Sequence, residues 1–265
     1  MLLVNIVEIK NKLGNGCTIP YIVWCDDGNT YVVKFPGNTQ GVKTLVNEFI
    51  ASNLCEYLEL PIFRYSLINV KMSDYNEKTE NDIIPLEGTA FGTVYNDNAL
   101  VILNSGMIAN ACNRNDAIKI LIFDILLGNF DRNKGNLIID SVTKKLYMID
   151  HTHIFGLGTL WDEYQLPRLT NEEFKTTALH PFNYNNIMES LKITDDFYRE
   201  LHKFIAKIKN INKDFIKKIM ENIPDDWNVS NKEKTLLVDY IYDRFNRVDE
   251  ILELLNIKGG DNGEI

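Results

Sequence analysis

The sequence predicts an α+β chain built as two lobes, a smaller β-rich one over residues 1–104 and a larger, mainly helical one over residues 105–265. Three observations lead there. Up to about residue 104 the chain runs as short β-branched and aromatic stretches parted by turn formers. Beyond about residue 115 apolar residues recur at three- and four-residue spacing, the period of a helix with a buried face. Where the helical part begins, an almost wholly apolar segment ends at Gly128 and gives way to a tight polar loop, Asn129-Phe130-Asp131-Arg132-Asn133-Lys134-Gly135-Asn136.

In chain order, Tyr21–Cys25 and Thr30–Phe35 flank Asp26-Asp27-Gly28-Asn29 and form a hairpin signature. A helix is expected over about 41–58, with Val42, Leu45, Val46, Phe49, Ile50, Leu54, Tyr57 and Leu58 on its apolar positions, and Pro61 closing the unit. Ser66 to Met72 returns to strand, and Asp74 to Asp82 is polar enough for an exposed loop. Tyr95 to Leu103 connects the two parts. Asn115 or Asp116 can cap the apolar helix that runs to Leu127, and Gly128 can end it. Such a helix is normally buried. Leu137–Ile139 and Leu146–Ile149 read as a short hairpin around Ser141–Lys145. Two long amphipathic helices are expected at about 196–221 and 232–256, with Gly259–Gly263 a frayed end.

Composition excludes several classes. The net charge is −9 and no lysine- or arginine-rich block occurs, which argues against a nucleic-acid binder. Cys17, Cys25, Cys55 and Cys112 are far apart, as free thiols of a reducing compartment are. The N-terminus lacks the basic start and apolar stretch of a signal peptide. Eighteen consecutive apolar residues occur nowhere, so no membrane span is expected, and the expected location is cytoplasmic.

The loop carries the chemistry. Asp131 and Asn136 lie five residues apart, and Asp150 closes an apolar strand nineteen residues after Asp131. One carboxylate can accept or orient the proton of an attacking hydroxyl, while Asn136 and Asp150 offer oxygens to magnesium, as phosphoryl transfer needs. An ordinary turn uses the same residue types. A calcium loop does not fit, because the twelfth residue from Asp131 is Val142 and not a bidentate Glu. Phosphoryl transfer also needs a cation on the nucleotide phosphates and an acid to orient it. Lys34 ends a strand and Glu48 lies on the next helix, although singly each is what a solvated surface carries. Gly14-Asn15-Gly16-Cys17-Thr18 stands where a phosphate-covering loop would sit, with Ile19 at the place of a third glycine. No Gly-Lys-Ser/Thr segment is present, which excludes a P-loop. His151 and His153 alternate but lack a third ligand at zinc spacing, and local hydrogen bonding is the reading for both. Asp124, a carboxylate in an apolar helix, is expected to pair with Arg132 or cap the loop backbone. Trp161 and Trp227 are expected in the core.

The segments Tyr31-Val32-Val33-Lys34-Phe35, Val46-Asn47-Glu48-Phe49-Ile50-Ala51, Leu60-Pro61, Phe91-Gly92-Thr93, Phe123-Asp124 with Asn129–Leu137, and Ile223-Pro224-Asp225-Asp226-Trp227 resemble the HipA-like kinases over roughly residues 10–255. The loop and Ile149-Asp150 are also similar to the phosphoinositide kinases. The resemblance implies a protein-kinase-like fold that binds ATP between its lobes. It implies Lys34 on the phosphates, with Gly14, Gly16 and Thr18 in the covering loop and Glu48 as partner of Lys34. Asp131 would be the catalytic base, and Asn136 and Asp150 the Mg²⁺ ligands. It further implies a protein Ser/Thr acceptor, an antitoxin or regulatory partner protein, and autophosphorylation of a nucleotide-loop hydroxyl, here Thr18. A small-molecule or lipid-headgroup kinase is the alternative enzyme, and a nucleotide-binding regulator without turnover the alternative class. The chain departs from the pattern at Asn133, where many relatives carry His, and at His151-Thr152, which replace Phe-Gly.

Overall fold

The computed structural model describes residues 3–14, 18–76, 79, 83–175 and 181–257. In chain order they form β1 (Leu3–Lys12), β2 (Tyr21–Cys25), β3 (Thr30–Lys34), α1 (Lys43–Tyr57), β4 (Tyr65–Val70), β5 (Gly88–Val94) and β6 (Ala99–Val101). There follow α2 (Ser105–Ala109), α3 (Asp116–Leu127), β7 (Leu137–Asp140), β8 (Leu146–Met148), α4 (Leu166–Thr170) and α5 (Pro181–Ser190). The chain ends in α6 (Asp195–Lys209), α7 (Lys213–Glu221), α8 (Asn231–Asn246) and α9 (Val248–Leu254). A small β-rich N-terminal region thus precedes a mostly helical one, as the sequence predicts.

The N-terminal strands close into a barrel in the order β1-β2-β3-β5-β4, with β1 and β4 parallel at the seam. Alternation puts Tyr21, Val23 and Cys25 of β2 inside, against Tyr31 and Val33 of β3 and Ile68 of β4, and leaves Trp24 outside. The register sets Val33 opposite Gly92 of β5. A Cβ on Gly92 would stand 2.4 Å from the Ile68 Cδ1 and 3.3 Å from the Tyr31 Cβ, so any larger residue at this crossing must push the buried Ile68 side chain aside. Residue 34 falls one step on, at the end of β3.

α1 turns nearly every side chain inward and belongs to the larger core rather than to the barrel. Phe49 meets Trp227 edge-on with ring centroids 5.9 Å apart. α3 is the centre of that core, buried from Ala117 to Leu127 except at Lys119. Gly128 ends it at φ 65°, a left-handed turn in which a Cβ would stand 3.0 Å from both the Gly156 nitrogen and the Tyr240 hydroxyl. Trp161 and Trp227 are buried, as expected.

Several expectations need correction. The capping of α3 by Asn115 or Asp116 does not occur; Asn113 Nδ2 instead donates to Asp116 Oδ2 at 2.8 Å, and Lys119 pairs with the same carboxylate. The strand expected to reach Met72 ends at Val70. The helix expected over 196–221 is two, parted at Asn210-Ile211-Asn212, where the Asn212 side chain accepts the Phe215 N–H and starts α7 afresh. The helix expected over 232–256 breaks at Arg247, whose side chain turns to Glu250. The connection 95–103 contains β6, which pairs with β7 so that Val101 meets Ile138. In the expected exposed loop Thr79 is buried, while residues 77, 78 and 80–82 lie outside the described residues, as do Gly259–Gly263. Among the described residues no helix is long and apolar enough to cross a membrane.

Candidate active site

Three structural features aim charged groups into one cleft of about 610 Å³ beneath the barrel. The first is the end of β3. Lys34 projects inward and is buried together with Glu48 of α1, with which it forms an ion pair. Its ammonium also donates to Asp150 Oδ1 at 2.9 Å and to the Thr152 hydroxyl at 2.8 Å, so all three N–H donors are used. Burial alone would lower the Lys34 pKa, but Asp150 and Glu48 override it and hold the group above its ordinary range. Glu48 is held below its ordinary value, because the Lys34 charge outweighs the burial that would raise it, with further help from His151. His151 presents its backbone N–H to Glu48 Oε1 at 3.0 Å and its ring Nδ1 to Oε2 at 3.3 Å.

The second is the loop after α3. Asp124, 1 % exposed, accepts from Arg132 at two points, Nε to Oδ2 at 2.8 Å and Nη2 to Oδ1 at 2.9 Å, and from Asn129 Nδ2 at 2.9 Å. The expected pairing of Asp124 with Arg132 is therefore present. Arg132 Nη1 reaches on to the carbonyls of Asn136, at 3.1 Å, and of Ile149. With Arg132 drawn inward, its neighbour Asp131 faces the cleft, its side chain about one-third exposed. Asn133 takes the Gly135 N–H on its side-chain oxygen at 2.8 Å, and Asn136 Nδ2 donates to the Asp131 carbonyl at 2.7 Å.

The third is the β7–β8 hairpin. Its register pairs Leu137 with Met148, and the Ile149 N–H reaches the Asn136 carbonyl at 3.1 Å. Asn136 and Asp150 are thereby held at the same end of the ladder, as the sequence leads one to expect. Asp150 sits at φ 60°, left-handed backbone that costs a non-glycine residue on the order of 1 kcal/mol. The turn lets its carboxylate receive both Lys34 and, at 3.2 Å, the Thr152 N–H. Burial would raise the Asp150 pKa; the Lys34 charge and these hydrogen bonds hold it well below the usual carboxylate range.

Lys34, Glu48, Thr18, Asp131, Asn136 and Asp150 all line the cleft, among apolar walls from Val32, Phe91 and Met148. So do Tyr95, Asn96, Asp97, Ala99 and Val101 of the 95–103 connection. Gly14 lies in a turn at φ 64° and is not among the lining residues, and Gly16 lies outside the described residues. Ile19, where a third glycine was missing, takes φ 46°, a conformation that glycine would adopt without strain. His151 and His153 point to different neighbours, Glu48 and Asp131 respectively.

Sequence reasoning missed Thr152 and Asn47. Asn47 is fully buried; its Nδ2 donates to the carbonyls of Thr152 at 2.7 Å and Gly158 at 2.9 Å, and its oxygen accepts Trp161 Nε1–H at 2.9 Å. The one signal available was an amide inside an apolar helix, next to Glu48. An oxygen-ligated cation fits this donor set. Asp150 stays ionised, and Asn136 has its nitrogen engaged, so its side-chain oxygen is left to coordinate.

A family model described as HipA-like kinase matches residues 6–256. No curated protein sequence matches the chain. Among solved structures, the Helicobacter pylori proinflammatory kinase CtkA is similar at a TM-score of 0.62 and 16 % identity, covering 96 % of this chain and 98 % of that one. The Golgi casein kinase crystallised with Mn/ADP is similar at a TM-score of 0.52 and 11 % identity, covering 98 % of this chain and 78 % of that one. At such identities the likeness establishes the protein-kinase-like fold. Because the family model spans nearly the whole chain, the protein belongs to the HipA-like kinase family and is a kinase-like phosphotransferase.

Proposed function

We propose that the protein transfers the γ-phosphoryl group of ATP to the hydroxyl of a protein serine or threonine, with Asp131 as base. The observation that carries this reading is the convergence of Lys34, Asp131, Asn136 and Asp150 on one cleft with apolar walls from Val32, Phe91 and Met148. In this reading residues 1–104 cover the nucleotide, and residues 105–265 carry the catalytic and metal-binding groups. Lys34, charged and oriented by Glu48, binds phosphate oxygens. Asn136 and Asp150 would hold Mg²⁺, which neutralises charge on the phosphates when bound. Asp131 takes the proton from the acceptor hydroxyl; that oxygen bonds to the γ-phosphorus while the bond from phosphorus to the ADP oxygen breaks. Arg132 fixes the base by tying its loop to Asp124 and to the Ile149 carbonyl.

A net charge of −9 favours a neutral or basic protein acceptor over anionic lipid. Cys25, Cys55 and Cys112 are free thiols, and burial pushes the Cys25 thiol up to about 12 and that of Cys55 well above its ordinary value. Free thiols and ATP use suit the cytoplasm.

The test is a thermal-shift titration with Mg²⁺ and ATP, followed by transfer of labelled phosphate onto proteins of a cell lysate. Asp131→Ala should keep the nucleotide-dependent shift and lose roughly 10²–10⁴ in turnover. Asp150→Asn should lose the magnesium-dependent part of the shift. Unchanged ATP turnover in both variants would sink the proposal.

A further inference from the structure

Beside Asp131 stands a side chain that the reaction as described leaves idle. His153 Nε2 lies 3.9 Å from Asp131 Oδ2, and its side chain is about one-quarter exposed. The imidazole is held from two sides. The Phe130 ring covers it with centroids 5.3 Å apart. Gly158 stands against the other edge at φ 62°, where a Cβ would come within 2.8 Å of His153 Nδ1. A side chain at residue 158 would be strained by the left-handed backbone and would push the imidazole aside. The Gly158 carbonyl is in turn fixed by Asn47 of α1, and its N–H by the Ile154 carbonyl at 3.0 Å. A chain of contacts therefore runs from the buried helix through Gly158 and His153 to the carboxylate. His151, two residues earlier, is turned away and occupied with Glu48.

We propose that His153 is a proton-relay residue for Asp131. The idea rests on the reading of Asp131 as the base. The acceptor hydroxyl gives its proton to Asp131 Oδ2 as its oxygen bonds to the γ-phosphorus and ADP departs. His153 Nε2 then takes that proton, which returns Asp131 to the ionised state, and the imidazolium, about one-quarter exposed, releases it to water. The present separation of 3.9 Å is longer than a hydrogen bond, and such contacts commonly tighten only with substrate in place.

The experiment measures ADP release from Mg²⁺ and ATP, with and without dephosphorylated casein as acceptor, for wild type, His153→Ala, Gly158→Ala, the double variant and Asp131→Asn. His153→Ala should lose about ten-fold or more in kcat with KM for ATP unchanged. Added imidazole should restore much of that loss in a saturable way, and should do nothing for Asp131→Asn. Gly158→Ala should reproduce the loss by displacing the ring, and the double variant should be no slower than His153→Ala. A His153→Ala enzyme as fast as wild type, a loss that imidazole does not move, or additive losses in the double variant would each overturn the relay and leave the kinase reading standing. A wild type that releases no more ADP than Asp131→Asn would overturn both.

Discussion

Lys34 Nζ lies 2.9 Å from Asp150 Oδ1, so the end of β3 and the turn after β8 are joined by opposite charges across 116 residues of sequence. Glu48 closes the cluster from α1. The pair couples barrel, helix and loop, and what orients phosphates in the proposed reaction is also what holds the cleft together.

The first prediction concerns this cluster and pH. Asp150 and Glu48 are held below their ordinary values of 3.8 and 4.5, so their contribution to stability is fully present above those values and is lost as pH falls through the folded-state ones. Lys34 is held above its ordinary 10.5, so its contribution is present below that value and is lost only as pH rises through the folded-state one. The cluster therefore stabilises fully between about pH 5 and pH 10. Urea midpoints of the wild type should fall between about pH 5 and pH 2 more steeply than those of Asp150→Asn. Parallel curves would assign the acid sensitivity elsewhere. At neutral pH, Lys34→Met should destabilise by about 3–5 kcal/mol, because it strands a buried carboxylate.

The second prediction concerns Asp124 and Arg132. Their two-point pair is almost wholly out of water, and Arg132 also carries two loop carbonyls. Asp124→Leu or Arg132→Leu alone should each cost about 3–5 kcal/mol, by leaving one buried charge unpaired. The double replacement should cost clearly less than the sum, since it removes both charges. Equilibrium denaturation of the four proteins measures the coupling. Arg132→Lys should behave as a loss as well, because an ammonium cannot make the fork to Asp124 and still reach the Ile149 carbonyl.

Both predictions bear on what the sequence could reveal. Lys34, Asp131, Asn136 and Asp150 were legible because their order and residue types match one chemistry, and because a hairpin between Asn136 and Asp150 brings those two together in any fold. Asp124 was legible because a lone carboxylate in an apolar helix demands a partner. The breaks at Asn210–Asn212 and Arg247 were not, since Phe215, Ile219, Ile251 and Leu252 keep the apolar period going beyond them. A period reports which face is buried and is blind to an asparagine that caps a new helix. Asn47 and Thr152 were missed for another reason. Their partners are a backbone carbonyl and a lysine more than a hundred residues away, and no spacing reports such a contact.

Asn47 gives the last prediction. It ties α1 to residues 152–161 through two carbonyls and the Trp161 indole, and Lys43 adds a hydrogen bond to the Trp161 carbonyl at 2.5 Å with its ammonium over the ring. Asn47→Ala removes the partner of two buried acceptors and one donor. Each such group costs about 1–3 kcal/mol, and partial relaxation should bring the total to on the order of 3 kcal/mol. Asn47→Asp should be no milder, because a carboxylate cannot donate to the Thr152 and Gly158 carbonyls. Hydrogen exchange separates this from a general loss of stability. Amides of residues 154–161 should exchange faster by a larger factor than those of α3, because the tie anchors that segment and not the central helix. Equal acceleration in both places would mean that Asn47 supports the core as a whole, and that the Glu48–His151 and Lys43–Trp161 contacts suffice to fix the segment to α1.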